Sequence, residues 1–144
     1  MGRSGFCRAA ERRRRAAAAR RTGCAAERVA AQYLRTQGAE VLLCNFRCRC
    51  GELDIVARCG EELAMIEVRS RASRAFGGAA ASVDGRKRTR LLRAASRLLQ
   101  VRPQWAQWRV RFDVVTIEAS GTARPRIEWI KHAFMADGDG AGRI

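Results

Sequence analysis

Residues 51–71, GELDIVARCGEELAMIEVRSR, hold two short apolar runs joined by a turn, and each run carries acids where an ordinary core strand has none. GELDIVAR (51–58) and ELAMIEVRS (62–70) have the length and residue types of strands, and CGE (59–61) folds one back on the other, so the pair reads as a β-hairpin. Successive side chains of a strand point to opposite faces. Glu52, Asp54 and Val56 are thus expected on one face, with Leu53, Ile55 and Ala57 on the other. On the second strand Leu63, Met65, Glu67 and Arg69 share a face opposite Ala64, Ile66 and Val68. Pairing across the turn brings Asp54 and Glu67 together on one surface.

Two carboxylates converging in an apolar setting repel each other unless a proton or a cation intervenes. Mg²⁺, or Mn²⁺ in its place, takes oxygen ligands of this kind and keeps sites open for water and phosphate oxygens. A basic side chain two residues after the second acid, here Arg69, lies on the same strand face and is suited to neutralising charge on a reacting phosphate. The plain structural alternative makes Glu67 and Arg69 a strand-edge ion pair and Asp54 a hydrogen-bonded acid near a turn. Asp54, twelve intervening residues and then Glu-x-basic, all on apolar strands of a basic chain, favour the metal reading.

The charge balance points the same way. The chain of 144 residues carries a net +15. Residues 1–21 contain eight arginines and one glutamate, +7 of that total, which leaves +8 on the rest. A body this basic expects a polyanionic partner, DNA first and RNA as the alternative. A solvated basic surface is the plainer reading of charge alone. Arg86, Arg90, Arg93 and Arg97 recur at helical spacing over residues 85–100, a stripe that phosphates attract without regard to base sequence, and Arg47 and Arg49 precede the acidic strand. No apolar run approaches the ~20 residues that span a membrane, and the N-terminus lacks the apolar core of a secretory signal, so a cytoplasmic protein with reduced thiols and no membrane partner is expected.

Along the chain, residues 1–21 read as a flexible Ala/Arg arm, 22–135 as one domain and 136–144 as a frayed tail. A helix is expected over 22–38, with Thr22 as N-cap, Gly38 as its stop and Glu27 beside its apolar stripe. AEVLLCNFR (39–47) is a strand preceding the hairpin, and a Gly/Ala-rich loop occupies 76–85. The second helix, 85–100, buries Leu91, Leu92, Ala95, Leu98 and Leu99; strands follow at 109–118 and 125–134. Cys44, Cys48, Cys50 and Cys59 lack the paired knuckles of a zinc site, so no zinc is expected, and Cys48 and Cys50 are placed on one strand face. Trp105 and Trp108 read as packing residues, with base stacking the alternative. His132 reads as a packing or surface residue. Asp113 either pairs with Arg111 or supports the acidic site.

The spacing from Asp54 to Glu67-x-basic resembles the D-x(n)-(D/E)-x-K core of the PD-(D/E)xK nucleases. More closely, GCAAERVAAQYLRTQG, NFRCRCGELDIVAR, IEVRSR, VDGRKRTRLLRAA and RFDVV, in that order over most of residues 23–115, resemble the YraN-like family of small bacterial proteins. That family is assigned to the restriction-endonuclease-like fold and compared with archaeal Holliday-junction resolvases. The resemblance implies an α/β fold with a mixed central sheet flanked by helices in the order αβββαββ. It implies Mg²⁺-dependent phosphodiester hydrolysis in DNA, at branched or otherwise structured sites, and by analogy a homodimer. Glu27, Asp54 and Glu67 fall on its acidic positions, and Gly51 and Glu52 complete its G-E-(I/L)-D signature, with Glu52 in a supporting role. The family usually has E-V-K where this chain has Glu67-Val68-Arg69. Arginine keeps the charge but does not give up a proton, and Lys87, at the start of the second helix, is a candidate substitute. Two alternatives stay open: a non-catalytic nucleic-acid-binding protein that keeps the fold, and an adaptor whose basic arm docks on RNA.

Overall fold

The computed structural model describes residues 23–71, 85–118 and 124–134. The basic arm at 1–21, Thr22, nearly all of the Gly/Ala-rich loop and the tail at 136–144 lie outside the described residues. A helix, α1, described over 23–36, is followed by β1 (Glu40–Cys48), β2 (Gly51–Cys59) and β3 (Glu62–Arg71). Then come α2 (Gly85–Val101), a 3₁₀ turn (Pro103–Gln107), β4 (Arg109–Glu118) and β5 (Arg126–Phe134). The order αβββαββ and the mixed α/β class are as the sequence reads, and strand ends move by at most about one residue. No helix among the described residues is long and apolar enough to cross a membrane.

The five strands form one sheet in the order β1-β2-β3-β4-β5. Neighbours are antiparallel except β3 and β4, which run parallel with α2 as their crossover. Two short turns hold the first three strands in register. Gly60, at φ 64, starts the turn between Cys59 and Glu62, and Arg49 and Cys50 form the tip between Cys48 and Gly51. Cys50 therefore lies in a turn and not on a strand face with Cys48, because the chain reverses at Arg49 and Cys50. α1 ends in a pair of overlapping turns: the Gly38 N–H donates to Arg35 O and the Ala39 N–H to Leu34 O, both at 3.0 Å.

Each face of the sheet is covered by one helix. On one face Ala30, Ala31 and Leu34 of α1 meet Ile55, Ala57, Ala64, Ile66, Val115 and Ile117. On the other, Leu91, Ala94, Ala95, Leu98 and Leu99 of α2 meet Leu53, Val56, Leu63, Met65 and Phe112. Ala94 belongs to the buried stripe of α2, and Leu92, expected inside, is only partly buried at its margin. Trp105 and Trp108 pack against this second cluster, so their packing reading holds.

Leu53 corrects the expected alternation. It joins the α2 face, whereas Ile55 and Ala57 join the α1 face. The reversal happens at Asp54, opposite a kink in β1 where Asn45 takes φ 58. Beyond that level the tip of the β1–β2 hairpin leans on α2. A Cβ added to Gly51 would stand 2.8 Å from the Arg90 carbonyl oxygen and 3.3 Å from the Arg90 Cβ. The glycine of GELD is thus required by a close approach of strand to helix backbone.

A second local constraint fixes the far side of the sheet. Asp113 is fully buried on β4 and accepts from Arg111 Nε at 3.2 Å, Trp129 Nε1 at 2.9 Å and the His132 N–H at 3.0 Å. Arg111 also pairs with Glu62 at the start of β3. Of the two sequence readings of Asp113, the pairing with Arg111 is the observed one. The bond to His132 holds a bulge in β5, where the register against β4 shifts between Phe112 and Val114 and His132 adopts φ 51. His132 itself is exposed, a surface residue.

Replacing Gly51 by alanine drives a methyl group into helix backbone, so α2 or the hairpin must shift. A loss of about 1–3 kcal/mol of stability is expected, the usual cost of overpacking, measured by thermal or denaturant unfolding. Gly85→Ala, where nothing lies within 4 Å of the added carbon, is the control and should change little.

Candidate active site

The β2–β3 ladder runs from Cys59 and Glu62 to Ile55 and Ile66 and stops there. The next donor on β3, the Val68 N–H, is taken by Asp54 Oδ2 at 2.9 Å in place of a main-chain carbonyl. A side chain thereby satisfies a backbone group that the separating strand abandons. β3 continues undisturbed beside β4 as far as Arg71 and Glu118. The result is a gap between β2 and β3 with Asp54 on one wall and Glu67 on the other, opening into a crevice of ≈ 830 Å³.

Glu67 projects to the α2 face with Leu63 and Met65, as its strand period requires, and is 7% exposed. Its carboxylate accepts from the Lys87 ammonium in the first turn of α2. Lys87 therefore turns toward the sheet, although its side chain remains 45% exposed. Of the two directions open to it at the helix start, it takes the one toward Glu67. Arg86 and Arg90 on α2 and Arg47 and Arg49 on the hairpin line the same crevice.

Asp54 is the uncompensated acid. Burial pushes its carboxyl up to about 6, and the Glu67 and Glu27 carboxylates push in the same direction; the Val68 N–H and Lys87 pull it down without cancelling them. Glu27, on α1, acts on Asp54 through its charge and keeps a buried Oε2 without a hydrogen-bond partner, and it does not line the crevice. Among the described residues no three acidic, histidine or cysteine side chains stand as a ready metal-ligand cluster. The arrangement is a pair, Asp54 and Glu67, with Glu27 behind it. Mg²⁺ is commonly held by one or two carboxylates with water completing its shell, so this donor set fits such an ion.

The remaining expected site residues are distributed unevenly. Glu52 lines the crevice, but it is exposed and its carboxylate lies 3.6 Å from Arg47 across the hairpin, so it faces solvent rather than backing the acids. Arg69 is half-buried on β3 and is not among the crevice-lining residues. Arg93 is exposed on α2 outside the crevice, and Arg97, one helical turn further, donates to Gln100 Oε1 at 3.1 Å. The arginine stripe is thus exposed throughout, yet only its N-terminal half meets the acids. Arg47 and Arg49, singled out from the sequence, stand on the hairpin and wall the site together with Cys48 and Cys50, which sequence reasoning did not place there.

The Asp54 carboxyl has a folded-state pKa above its ordinary value of 3.8, so the folded protein binds the proton more tightly than the unfolded chain. Stability attributable to this group is then greatest below pH ~4, falls as pH rises toward 6 and stays low above it. Asp54→Asn removes the cost. It is expected to raise stability at pH 7.5 by up to about 3 kcal/mol and to have little effect at pH 4. Thermal melts of both forms at the two pH values check this. Glu67→Gln should not give the same gain, because Lys87 already neutralises Glu67.

Residues 26–117 match Uncharacterised protein family UPF0102. A UPF0102 protein of Pseudomonas aeruginosa (strain LESB58) is 48% identical over 115 residues, covering 79% of this chain and 92% of the relative. One from Pseudomonas putida (strain GB-1) is 46% identical over 114 residues, covering 79% and 93%, and one from Pseudomonas entomophila (strain L48) is 46% identical over 112 residues, covering 78% and 91%. The matched span contains α2 and β1 to β3, most of α1 and β4, the three acids and Lys87, and the chain belongs to family UPF0102, the YraN-like proteins.

Proposed function

We propose that this protein is a divalent-metal-dependent nuclease that hydrolyses phosphodiester bonds in DNA. The observation that carries the reading is the meeting of Asp54 and Glu67 in the gap between β2 and β3, inside a crevice that four arginines and Lys87 also line. Asp54 and Glu67 are the residues that would hold Mg²⁺ or Mn²⁺, with Glu27 acting from behind them. A bound ion of this kind supplies charge stabilisation at a phosphate oxygen and a more acidic water.

The protein groups have separable roles. Arg47, Arg49, Arg86 and Arg90 draw a phosphate backbone over the crevice by charge. Their placement has a further implication. The first turn of α2 contains no acid and the sequence Arg86-Lys87-Arg88, so positive charge is stacked on the positive end of a helix dipole. Such an arrangement is unfavourable by some tenths of a kcal/mol per charge unless an anion is present. A phosphate at this helix end relieves it. Lys87 donates to Glu67 and stands beside the place a phosphate would occupy, so it is the cation suited to stabilising charge that develops there. Arg69, standing where the family usually has lysine, lies outside the crevice lining. For that reason Lys87 is the stronger candidate of the two.

Arg69 also motivates the second reading, a nucleic-acid-binding protein that keeps the fold and its acids without cleaving. Incubation with linear, single-stranded and branched DNA, in Mg²⁺ or Mn²⁺, separates the two. Cleavage is expected, to be lost by at least about a hundredfold in Asp54→Asn, Glu67→Gln and Lys87→Ala, while Arg69→Lys stays within a few-fold of the parent. Calorimetric metal titration should show binding by the parent and by Lys87→Ala and none by Asp54→Asn or Glu67→Gln. Metal binding with no cleavage of any substrate overturns the nuclease reading and leaves the binding protein.

A further inference from the structure

Beside the crevice, on the other flank of the hairpin tip, lies a second groove of ≈ 620 Å³. Its floor is apolar, Phe46 and Val101, and its rim is Arg47, Arg49 and Arg97. Val101 is 43% exposed, one of only two large hydrophobic side chains exposed among the described residues. Phe46 is partly buried against the α2-side core, so its ring is held from behind while it borders the groove. Arg47, Arg49, Cys48 and Cys50 line both concavities, which makes the groove a continuation of the crevice around the hairpin tip.

A partly buried aromatic ring and an exposed valine, bordered by Arg47, Arg49 and Arg97, call for a ligand that is apolar and planar in its body and anionic around its edge. A nucleobase attached to its phosphates has that chemistry. Bases stack on aromatic side chains with little regard to sequence, and arginines track the backbone. A duplex keeps its bases stacked on one another inside the helix and cannot offer one to a groove without unpairing it. From Arg90 at the crevice to Val101 at the groove α2 advances roughly 16 Å, so a strand crossing the acids reaches Phe46 within a few nucleotides.

We propose that this groove binds an unpaired base of the strand whose phosphate lies over Asp54 and Glu67, so that the substrate class is single-stranded or locally unpaired nucleic acid rather than continuous duplex. The proposal rests on the nuclease reading for its register with the acids, but the base-binding groove is measurable without cleavage. The groove accepts one base from the strand, Phe46 stacks on it, Val101 closes the opposite side, and Arg97 meets the next phosphate. The shared hairpin tip forms the boundary between the base and the reacting phosphate.

The test uses the full chain in EDTA with oligonucleotides carrying the fluorescent base 2-aminopurine, single-stranded and in duplex, at one salt concentration. Quenched emission and about tenfold tighter binding of the single strand are expected. Phe46→Leu, which keeps apolar volume and removes the ring face, and Val101→Gln, at an exposed position, should each restore emission and erase most of that preference, with melting temperatures near the parent's. Equal affinity for single strand and duplex, or parental quenching in both variants, overturns the groove. Cleavage assays on the same proteins keep the two readings apart. Cleavage lost in Asp54→Asn with quenching unchanged in both groove variants sinks the groove alone. Quenching lost in the groove variants with no cleavage by any form sinks the nuclease reading and leaves base binding standing.

Discussion

The hydrogen bond from the Val68 N–H to the Asp54 carboxylate organises the site. A sheet whose β2–β3 ladder ran to the ends of both strands would close over the position where the acids now meet. Ending the ladder at Ile55 and Ile66 leaves a main-chain donor that must be satisfied, and a buried unsatisfied amide costs of the order of 1–3 kcal/mol. Asp54 answers that need, and in doing so it is fixed beside Glu67 with one oxygen committed to the backbone. The Asp54 carboxyl is raised first by burial and then by repulsion from Glu67. Apolar packing on both faces of the sheet holds the pair together against it: Ile55 and Ile66 against α1, Met65 and Leu53 against α2.

That division of labour explains why the two acids behave differently. Glu67 is neutralised locally by Lys87, while Asp54 is burdened by Glu67 and Glu27 together. A site of this kind is assembled by folding but left electrically incomplete, and strained electrostatics of this type concentrate where proteins bind ions or do chemistry. Arg86 and Lys87, from the first turn of α2, line the same crevice as the two acids.

Much of the architecture was legible because it rests on periodicity. The period of two in β3 puts Glu67 on the face of Met65, and the 3.6-residue period of α2 picks out Leu91, Ala95, Leu98 and Leu99. What was not legible depends on contacts distant in the chain. Leu53 changes face because Asn45 kinks the neighbouring strand and Gly51 touches the backbone of Arg90, neither of which a local pattern contains. Lys87 had two plausible directions at a helix start, and only the position of Glu67, twenty residues away, decides between them. Glu52 carried a family signature, but alternation alone does not show that Arg47 lies across the hairpin to draw it outward. The apolar groove escaped notice altogether, because Phe46 and Val101 each look like ordinary core residues in their own segments.

The bulge in β5 has a bearing on how the protein behaves at high concentration. β5 is an edge strand, and a flat edge is a template onto which a second chain can add. With His132 at φ 51 and two-residue slippage against β4, the outer hydrogen-bonding groups of β5 no longer lie in one row. Asp113 locks that irregularity from inside the sheet, through a bond that thermal fluctuation in the exposed strand cannot easily undo, since the acceptor is wholly buried. The charged network around Asp113 thus keeps the β5 margin irregular, a poorer template for strand addition than a flat edge.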